Sequence, residues 1–421
     1  MAEVAKEDPA FGRKANLVCR RWHIISHAVP SLWSHISICS GSSFHTAELY
    51  LERARVGPLT VYLRNLTLHE ARIDKYFFNT AVALVKPHRK RITGLTIRTY
   101  TVNTLAHALG ELVGKRGTSA PLRTLDISLC VPCPAAPLRG LLRYTMPAQL
   151  QSIRFDRALL ANVGPPCALR SLHISRPEQW ANNFQTLREF AATYPALRSL
   201  RIDNWDQQLP PVPHTGVREL AFPEVEELRL WKCRADNVHL LLAHLRTPRL
   251  NNVDIAFSSV PYQPNADGFQ DLHGLALVQL AEIGNLASPH GDDRHARGIQ
   301  TLTFANLQSS LAELLHVLKA CKYLRSLSFT RCNLTNDPVN WLANPTPKGP
   351  WLAQYLESLK IDECGAVEGF AFRQFAFNRW TGAENKWCVR LKELEIRGCS
   401  RVTQKDVAFC RQRVEVVTFS Q

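Results

Sequence analysis

Leu391-Lys-Glu-Leu394-Glu-Ile396-Arg-Gly-Cys399 decides how the whole chain is read, because the chain keeps repeating its spacing. Leu324, Leu327, Phe329 and Cys332 reproduce it, and so do Leu356, Leu359, Ile361 and Cys364. Leu122, Leu125, Ile127 and Cys130 form another copy, as do Val225, Leu228, Leu230 and Cys233. Inside the unit, L-x-I alternates and sends two apolar side chains to one face of a short strand. The leading leucine turns the chain into that strand. The cysteine puts a small, weakly hydrogen-bonding side chain inside the bend that follows.

This L-x-x-L-x-L-x-x-N/C pattern is the leucine-rich-repeat signature, in which each unit buries itself against its neighbours. Ile92, Leu95 and Ile97 form the first clear unit. Leading positions follow at Leu122, Leu150, Leu169, Leu197, Val225, Leu250, Leu272, Ile299, Leu324, Leu356, Leu391 and Val414. The segment Leu272–Ile283 reads equally well as a helix. Between strands, apolar residues recur at i, i+3, i+4, i+7: Leu105, Ala108, Leu109, Leu112; Leu187, Phe190, Ala191, Tyr194; Val238, Leu241, Leu242, Leu245; Leu311, Leu314, Leu315, Leu318. Ser310 and Glu313 make a capping box before the last of these. The expected fold is an α/β leucine-rich-repeat solenoid, a horseshoe with a parallel concave sheet and outer helices.

A chain of 421 residues exceeds the usual single core, which suits a repeat stack, and its 45% apolar content argues for a folded protein. The polar start Met1-Ala-Glu-Val-Ala-Lys-Glu-Asp is not a secretory signal, and no apolar run is long enough to span a bilayer. A soluble protein of the cytoplasm or nucleus, with no membrane partner, is expected. Of the twelve cysteines, Cys130, Cys233, Cys332, Cys364 and Cys399 share one position of the repeat. They are read as buried free thiols; Cys130-Val-Pro-Cys133 lacks a second pair at metal-ligand spacing.

The net charge of +15 invites a nucleic-acid reading, and the densest basic run is Lys86-Pro-His-Arg89-Lys90-Arg91. No nucleic-acid-binding motif accompanies it, so it reads as a solvated loop, with a phosphate patch or nuclear signal as the alternative. Leu209-Pro-Pro-Val-Pro213 has a P-x-x-P spacing but also serves as a helix breaker. His290, Asp292, Asp293 and His295 are metal-ligand types without helical or strand register, and Asn344–Pro350 is a further turn-rich insertion.

Residues 13–38 offer a helix with an apolar side, from Leu17, Val18, Trp22, Ile24 and Ile25, ended by Pro30. Leu32, Trp33, Ile36 and Ile38 then run into an alternating strand. The combination Leu17-Val-Cys-Arg-Arg-Trp22 and Pro30-Ser-Leu-Trp33 resembles the second half of an F-box, as found in the large fungal F-box/leucine-rich-repeat families. A helix over Thr46–Arg55 and the strand Pro58-Leu-Thr-Val-Tyr-Leu63 continue that likeness. The resemblance implies a partial F-box over 1–40, a linker helix and strand over 41–91 and repeats over 92–421. It also implies a substrate-recognition subunit of a Skp–cullin–F-box ubiquitin ligase, with Leu17, Val18, Arg20, Arg21 and Trp22 toward the Skp adaptor, and with Leu17, Val18 and Trp22 in a helical subdomain packed near the first repeat. The Leu-Pro segment that opens an F-box has no counterpart in Met1–Gly12, so weak or absent adaptor binding is expected. A ligase-independent protein-binding scaffold and a polyanion binder are the alternatives.

No phosphate loop, dinucleotide fingerprint, nucleophile elbow or zinc-protease motif occurs, so a non-catalytic binding protein without a cofactor is expected. Its surface follows from the strand period. The residue between the second and third apolar positions points out of the sheet, giving Thr96, Asp126, Arg154, His173, Arg201, Arg229, Asp254, Thr303, Ser328, Lys360 and Glu395. Arg154, His173, Arg201 and Arg229, with Trp231 beside them, are the candidate partner-binding row, suited to an acidic or phosphorylated segment. The competing reading pairs these arginines with Asp156 and Asp203.

Overall fold

Strand pairing starts at His35, well ahead of Ile92, where the sequence placed the first unit. The computed structural model describes residues 14, 17–65, 71–113, 121–130, 147–157, 168–177, 183–206, 219–258, 271–286, 298–308, 311–345 and 351–420. The chain forms two compact units, Met1–Tyr194 and Pro195–Gln421.

In the first unit, β1 (His35–Ile38), β2 (Leu59–Arg64), β3 (Ile92–Thr99), β4 (Thr124–Leu129), β5 (Ser152–Asp156) and β6 (Ser171–Ser175) pair in chain order, each parallel to the next. The strand read from sequence within 41–91 is β2, and it pairs on both sides in this sheet. The second unit contains β7 (Ser199–Asp203), β8 (Leu220–Ala221), β9 (Glu227–Cys233), β10 (Leu245–Arg246), β11 (Asn252–Phe257), β12 (Thr301–Ala305), β13 (Ser326–Thr330), β14 (Ser358–Asp362), β15 (Glu393–Arg397) and β16 (Val416–Ser420). β8 pairs with β10; the others form one parallel sheet in chain order.

Register turns the sequence repeat into core. Leu200, Leu228, Val253, Leu302, Leu327, Leu359 and Leu394 stand in one line across the second sheet. Ile202, Leu230, Ile255, Phe304, Phe329, Ile361 and Ile396 stand in the next, and all of these side chains are buried. Parallel neighbours need a crossover, and helices supply it. The helical stripes read from sequence line this core: Leu105, Ala108, Leu109 and Leu112 are buried, as are Leu187, Phe190, Ala191 and Tyr194. Leu245 is buried too, but in β10 rather than in the helix Ala235–His244. Leu272 is corrected: it opens the helix Leu272–Leu286, whose Ala276, Leu277, Leu280 and Ala281 are buried at helical spacing. The expected capping residue Ser310 lies outside the described residues.

At the strand exits the chain takes a left-handed residue, with φ of 54° at Arg157, 53° at Asn204, 55° at Asn306, 52° at Arg331, 53° at Glu363 and 56° at Gly398. The bend is held because each of these amides donates to the adjacent strand. Asn204 bonds the Trp231 carbonyl at 2.7 Å, Asn306 that of Thr330 at 2.9 Å and Glu363 that of Arg397 at 2.8 Å. After Arg331, Glu363 and Gly398, and after Lys232 with its φ of 54°, the next residue is the cysteine. The thiols of Cys233 and Cys332 reach the carbonyls of Ile202 and Phe304 at 3.5 Å, and those of Cys364 and Cys399 reach Phe329 and Ile361 at 3.9 Å. A side chain that is small, apolar in bulk and still a weak donor fits this inward corner. Cys233, Cys332, Cys364 and Cys399 are buried and unbridged, as read from sequence, whereas Cys130 is half-buried.

Burial pushes the Cys399 thiol up to about 11 and those of Cys321 and Cys410 up to about 12. The unfolded chain then loses these protons first, so stability is full below pH of about 9 and falls as pH rises from there through about 11–12. Thiol labelling of native protein at pH 8 should modify exposed Cys19 rapidly and leave Cys332, Cys364 and Cys399 unmodified until denaturant is added. Rapid native-state labelling of those three would contradict the packed corner.

Candidate protein-recognition surface

The N-terminal helix Arg20–Ala28 is fastened at its C-terminal end. Pro30 ends it sterically and starts the short 3-10 turn Pro30–Trp33. That turn drops Trp33 into the core, where its indole N–H donates to the Ser26 carbonyl at 2.7 Å. Tyr50 meets the ring edge-on at 4.9 Å between centroids, and the Arg53 guanidinium lies 4.4 Å from its centroid. Pro30-Ser-Leu-Trp33 is thus the anchored part of the F-box-like stretch.

Leu17-Val-Cys-Arg-Arg-Trp22 is the unanchored part. Leu17 and Val18 precede the helix in a turn and are 82% and 64% exposed, Ile24 is 60% exposed, and Trp22 is half-buried. Arg20 and Arg21 are exposed. Of the residues expected within the helical subdomain, Trp22 lies in the helix, whereas Leu17 and Val18 lie in the turn ahead of it. The helix is held through Ser26 and His27 near its end, which leaves its beginning uncovered.

The outward row of the sheets lies where the period placed it. Tyr62, Thr96, Asp126, Arg154 and His173 are register partners across the first unit. Arg201, Arg229, Asp254, Thr303, Ser328, Lys360 and Glu395 are partners across the second. The candidate row therefore divides, Arg154 with His173 in one unit and Arg201 with Arg229 in the other.

These arginines carry their own counter-charges. Arg154 stands 4.0 Å from Asp126, Arg201 2.8 Å from Asp203 and Arg229 3.2 Å from Asp254. Asp156, the partner expected for the row, is taken by Arg176 through a forked pair instead. The reason is the left-handed bend at Arg176, one strand over, which sets that residue beside the Asp156 carboxylate. Burial raises the pKa of Asp126 and Asp254, and Arg154 and Arg229 oppose it. Arg229 also lies over the half-buried Trp231 ring at 4.7 Å, a cation–π contact. As a row for capturing an anion, Arg154 to Arg229 is thus largely neutralised from within.

Sequence reading missed the neighbouring pair Arg64 and Arg98. β2 and β3 place them directly opposite each other, two register positions beyond Tyr62 and Thr96. The signal was present in Leu59-Thr-Val-Tyr-Leu-Arg64, which alternates as cleanly as any repeat strand. Reading that strand as leading into the solenoid, with the first unit only at Ile92, left its outward residues out of the row.

The Lys86–Arg91 run forms a 3-10 turn, and its last residue has a structural task. The Arg91 guanidinium donates to the carbonyls of Ala54 at 3.0 Å and Gly57 at 2.9 Å, capping the C-terminal end of the helix Phe44–Arg53, where a cation is favoured. Lys86 pairs with Glu111 at 2.5 Å. Among the described residues, no cluster of metal-binding side chains occurs, and no helix is long and apolar enough to cross a membrane. Cys133, Leu209–Pro213 and His290–His295 lie outside the described residues.

No family model matches the chain, and no curated protein matches it. Among solved structures it is similar to the Rad7 and Elc1 complex of yeast, with a TM-score of 0.41 and 13% sequence identity, over 98% of this chain and 94% of that one.

Proposed function

We propose that this chain is a non-catalytic recognition subunit of a Skp–cullin–F-box ubiquitin ligase. The N-terminal helix meets the adaptor, and the outward faces of the sheets hold a target protein. Ubiquitin transfer belongs to the partner complex. The observation that carries this reading is the contrast within the F-box-like stretch. Trp33 is sunk in the core while Leu17, Val18 and Ile24 stand in solvent on the adjoining turn and helix. Three large apolar side chains exposed within one short stretch of chain suit an interaction site. The Arg229–Trp231 pair supports the target-binding part, since Arg and Trp are the types that most often anchor interfaces.

Replacing both Leu17 and Val18 by Asp tests the reading. Both side chains are exposed, so the thermal midpoint should move little, within the roughly 0.5 kcal/mol typical of surface changes. Co-purification with a co-expressed Skp adaptor should fall at least tenfold. Equal recovery of adaptor by wild type and variant would remove this edge from the interface. A chain that never recovers adaptor, yet holds a protein through its sheet faces, would favour the ligase-independent scaffold.

A further inference from the structure

The outward face of the first unit carries a pair of like charges that no carboxylate among the described residues pairs with. Arg64 on β2 and Arg98 on β3 are direct register partners, on strands about 4.8 Å apart. Like charges directly opposite each other on neighbouring strands are destabilising. Among the described residues, neither guanidinium has a carboxylate at ion-pair distance, in contrast to Arg154, Arg176, Arg201 and Arg229. The Arg98 Nε is buried and makes no hydrogen bond among the described residues.

Two nearby carboxylates could have relieved the pair, and both are committed elsewhere. Asp126 lies within Coulomb range of Arg98 but stands nearer Arg154, 4.0 Å away. Asp74 is fully buried and accepts from the Thr99 hydroxyl at 2.6 Å, the Tyr100 amide at 3.3 Å and the Asn65 amide at 3.4 Å. It ties the helix Ala71–Val85 to the strand ends.

What remains is a small polar platform. The Arg98 guanidinium lies 5.7 Å from the Tyr62 ring centroid, a cation–π contact. Tyr62 and Thr96 are themselves register partners and place two hydroxyls in the adjoining row.

We propose that Arg64 and Arg98, with Tyr62 beside them, bind a phosphorylated segment of the target protein. One carboxylate offers two oxygens and fills one guanidinium fork. A phosphoryl group carries a charge of about −1.5 to −2 at pH 7 and three acceptor oxygens, enough to bridge two forks and cancel their mutual repulsion. This inference rests on the target-binding role proposed above. It places the anion contact away from Arg201 and Arg229, which their aspartates already satisfy.

The test uses the full chain on an array of phosphoserine, phosphothreonine and phosphotyrosine peptides with their unphosphorylated counterparts. A single-stranded oligonucleotide and phosphatidylserine vesicles serve as competing polyanions. Wild type should retain phosphorylated members at least tenfold better than their counterparts. R64Q/R98Q should lose that preference at least tenfold, while R331Q/R401Q, which removes as much charge elsewhere, should keep it. Since Gln removes a repulsion, R64Q/R98Q should melt no lower than wild type, and inorganic phosphate should raise the melting temperature of wild type only. R64K/R98K, which keeps charge without the fork, should fall between the two and serves if the Gln variant does not fold. Equal retention by the variants, equal retention of unphosphorylated peptides, or preference for the oligonucleotide or vesicles overturns the proposal. Adaptor co-purification on the same variants separates the two claims. Wild type that recovers adaptor but shows no phosphopeptide preference overturns the anion site alone; wild type that shows the preference but recovers no adaptor overturns the ligase reading and leaves the site standing.

Discussion

Replacing Leu359 by alanine is expected to lower the unfolding free energy by about 2–5 kcal/mol, the range for large-to-small core changes. Leu359 has no exposed surface and stands in register between Leu327 and Leu394. The backbone ladders on both sides pin its neighbours, so the walls of the cavity have little freedom to close. That points to the upper part of the range. Val416 is a matched control: it lies on the terminal strand β16 and is 54% exposed, so its change to alanine should cost about 0.5 kcal/mol or less. Urea denaturation of the two variants measures the difference. Equal losses would contradict a core built from stacked repeat units.

The second large effect is expected at Trp33. Its change to alanine removes a fully buried ring and should cost about 3–5 kcal/mol. The ring contacts Tyr50 and Arg53, and the indole N–H is the bond that holds Ser26, so the helix Arg20–Ala28 should come loose before the sheet does. Trp33→Phe keeps most of the packing and loses the hydrogen bond, for roughly 1 kcal/mol plus the strain of refitting. Limited proteolysis at Arg20 and Arg21 should quicken strongly in the alanine variant and modestly in the phenylalanine variant. Unchanged cleavage in both would show that the helix does not depend on Trp33.

Much of the strand architecture was legible because a side-chain period of two leaves little freedom once one face is buried. Leu327, Phe329, Leu359 and Ile361 fell in register from spacing alone. The cysteine corner was legible for the same reason, since Cys332, Cys364 and Cys399 recur at a fixed distance from those residues. Leu272 was not, because short apolar runs satisfy strand and helix templates alike, and only the ladder from β11 to β12 shows that no strand stands between them.

The surface was less legible than the core. Period assigned Arg154, Arg201 and Arg229 to the outward face, but it carries no information on which carboxylate each one meets. Asp126, Asp203 and Asp254 come from the same strand or the next, at offsets that depend on register and rotamer. Arg64 and Arg98 became a pair only once β2 was joined to β3. Likewise, apolar periodicity marked Leu17, Val18 and Ile24 as something to be buried without saying whether the fold or a partner does the burying.

The central claim, that the uncovered N-terminal edge belongs to a ligase adaptor, is tested most directly by calorimetric titration of purified Skp adaptor into the full chain. The account requires saturable one-to-one binding that disappears when Leu17 and Val18 are both changed to Asp, with the melting temperature unchanged. Absence of binding by folded wild-type chain, or binding that survives the double change, would contradict it.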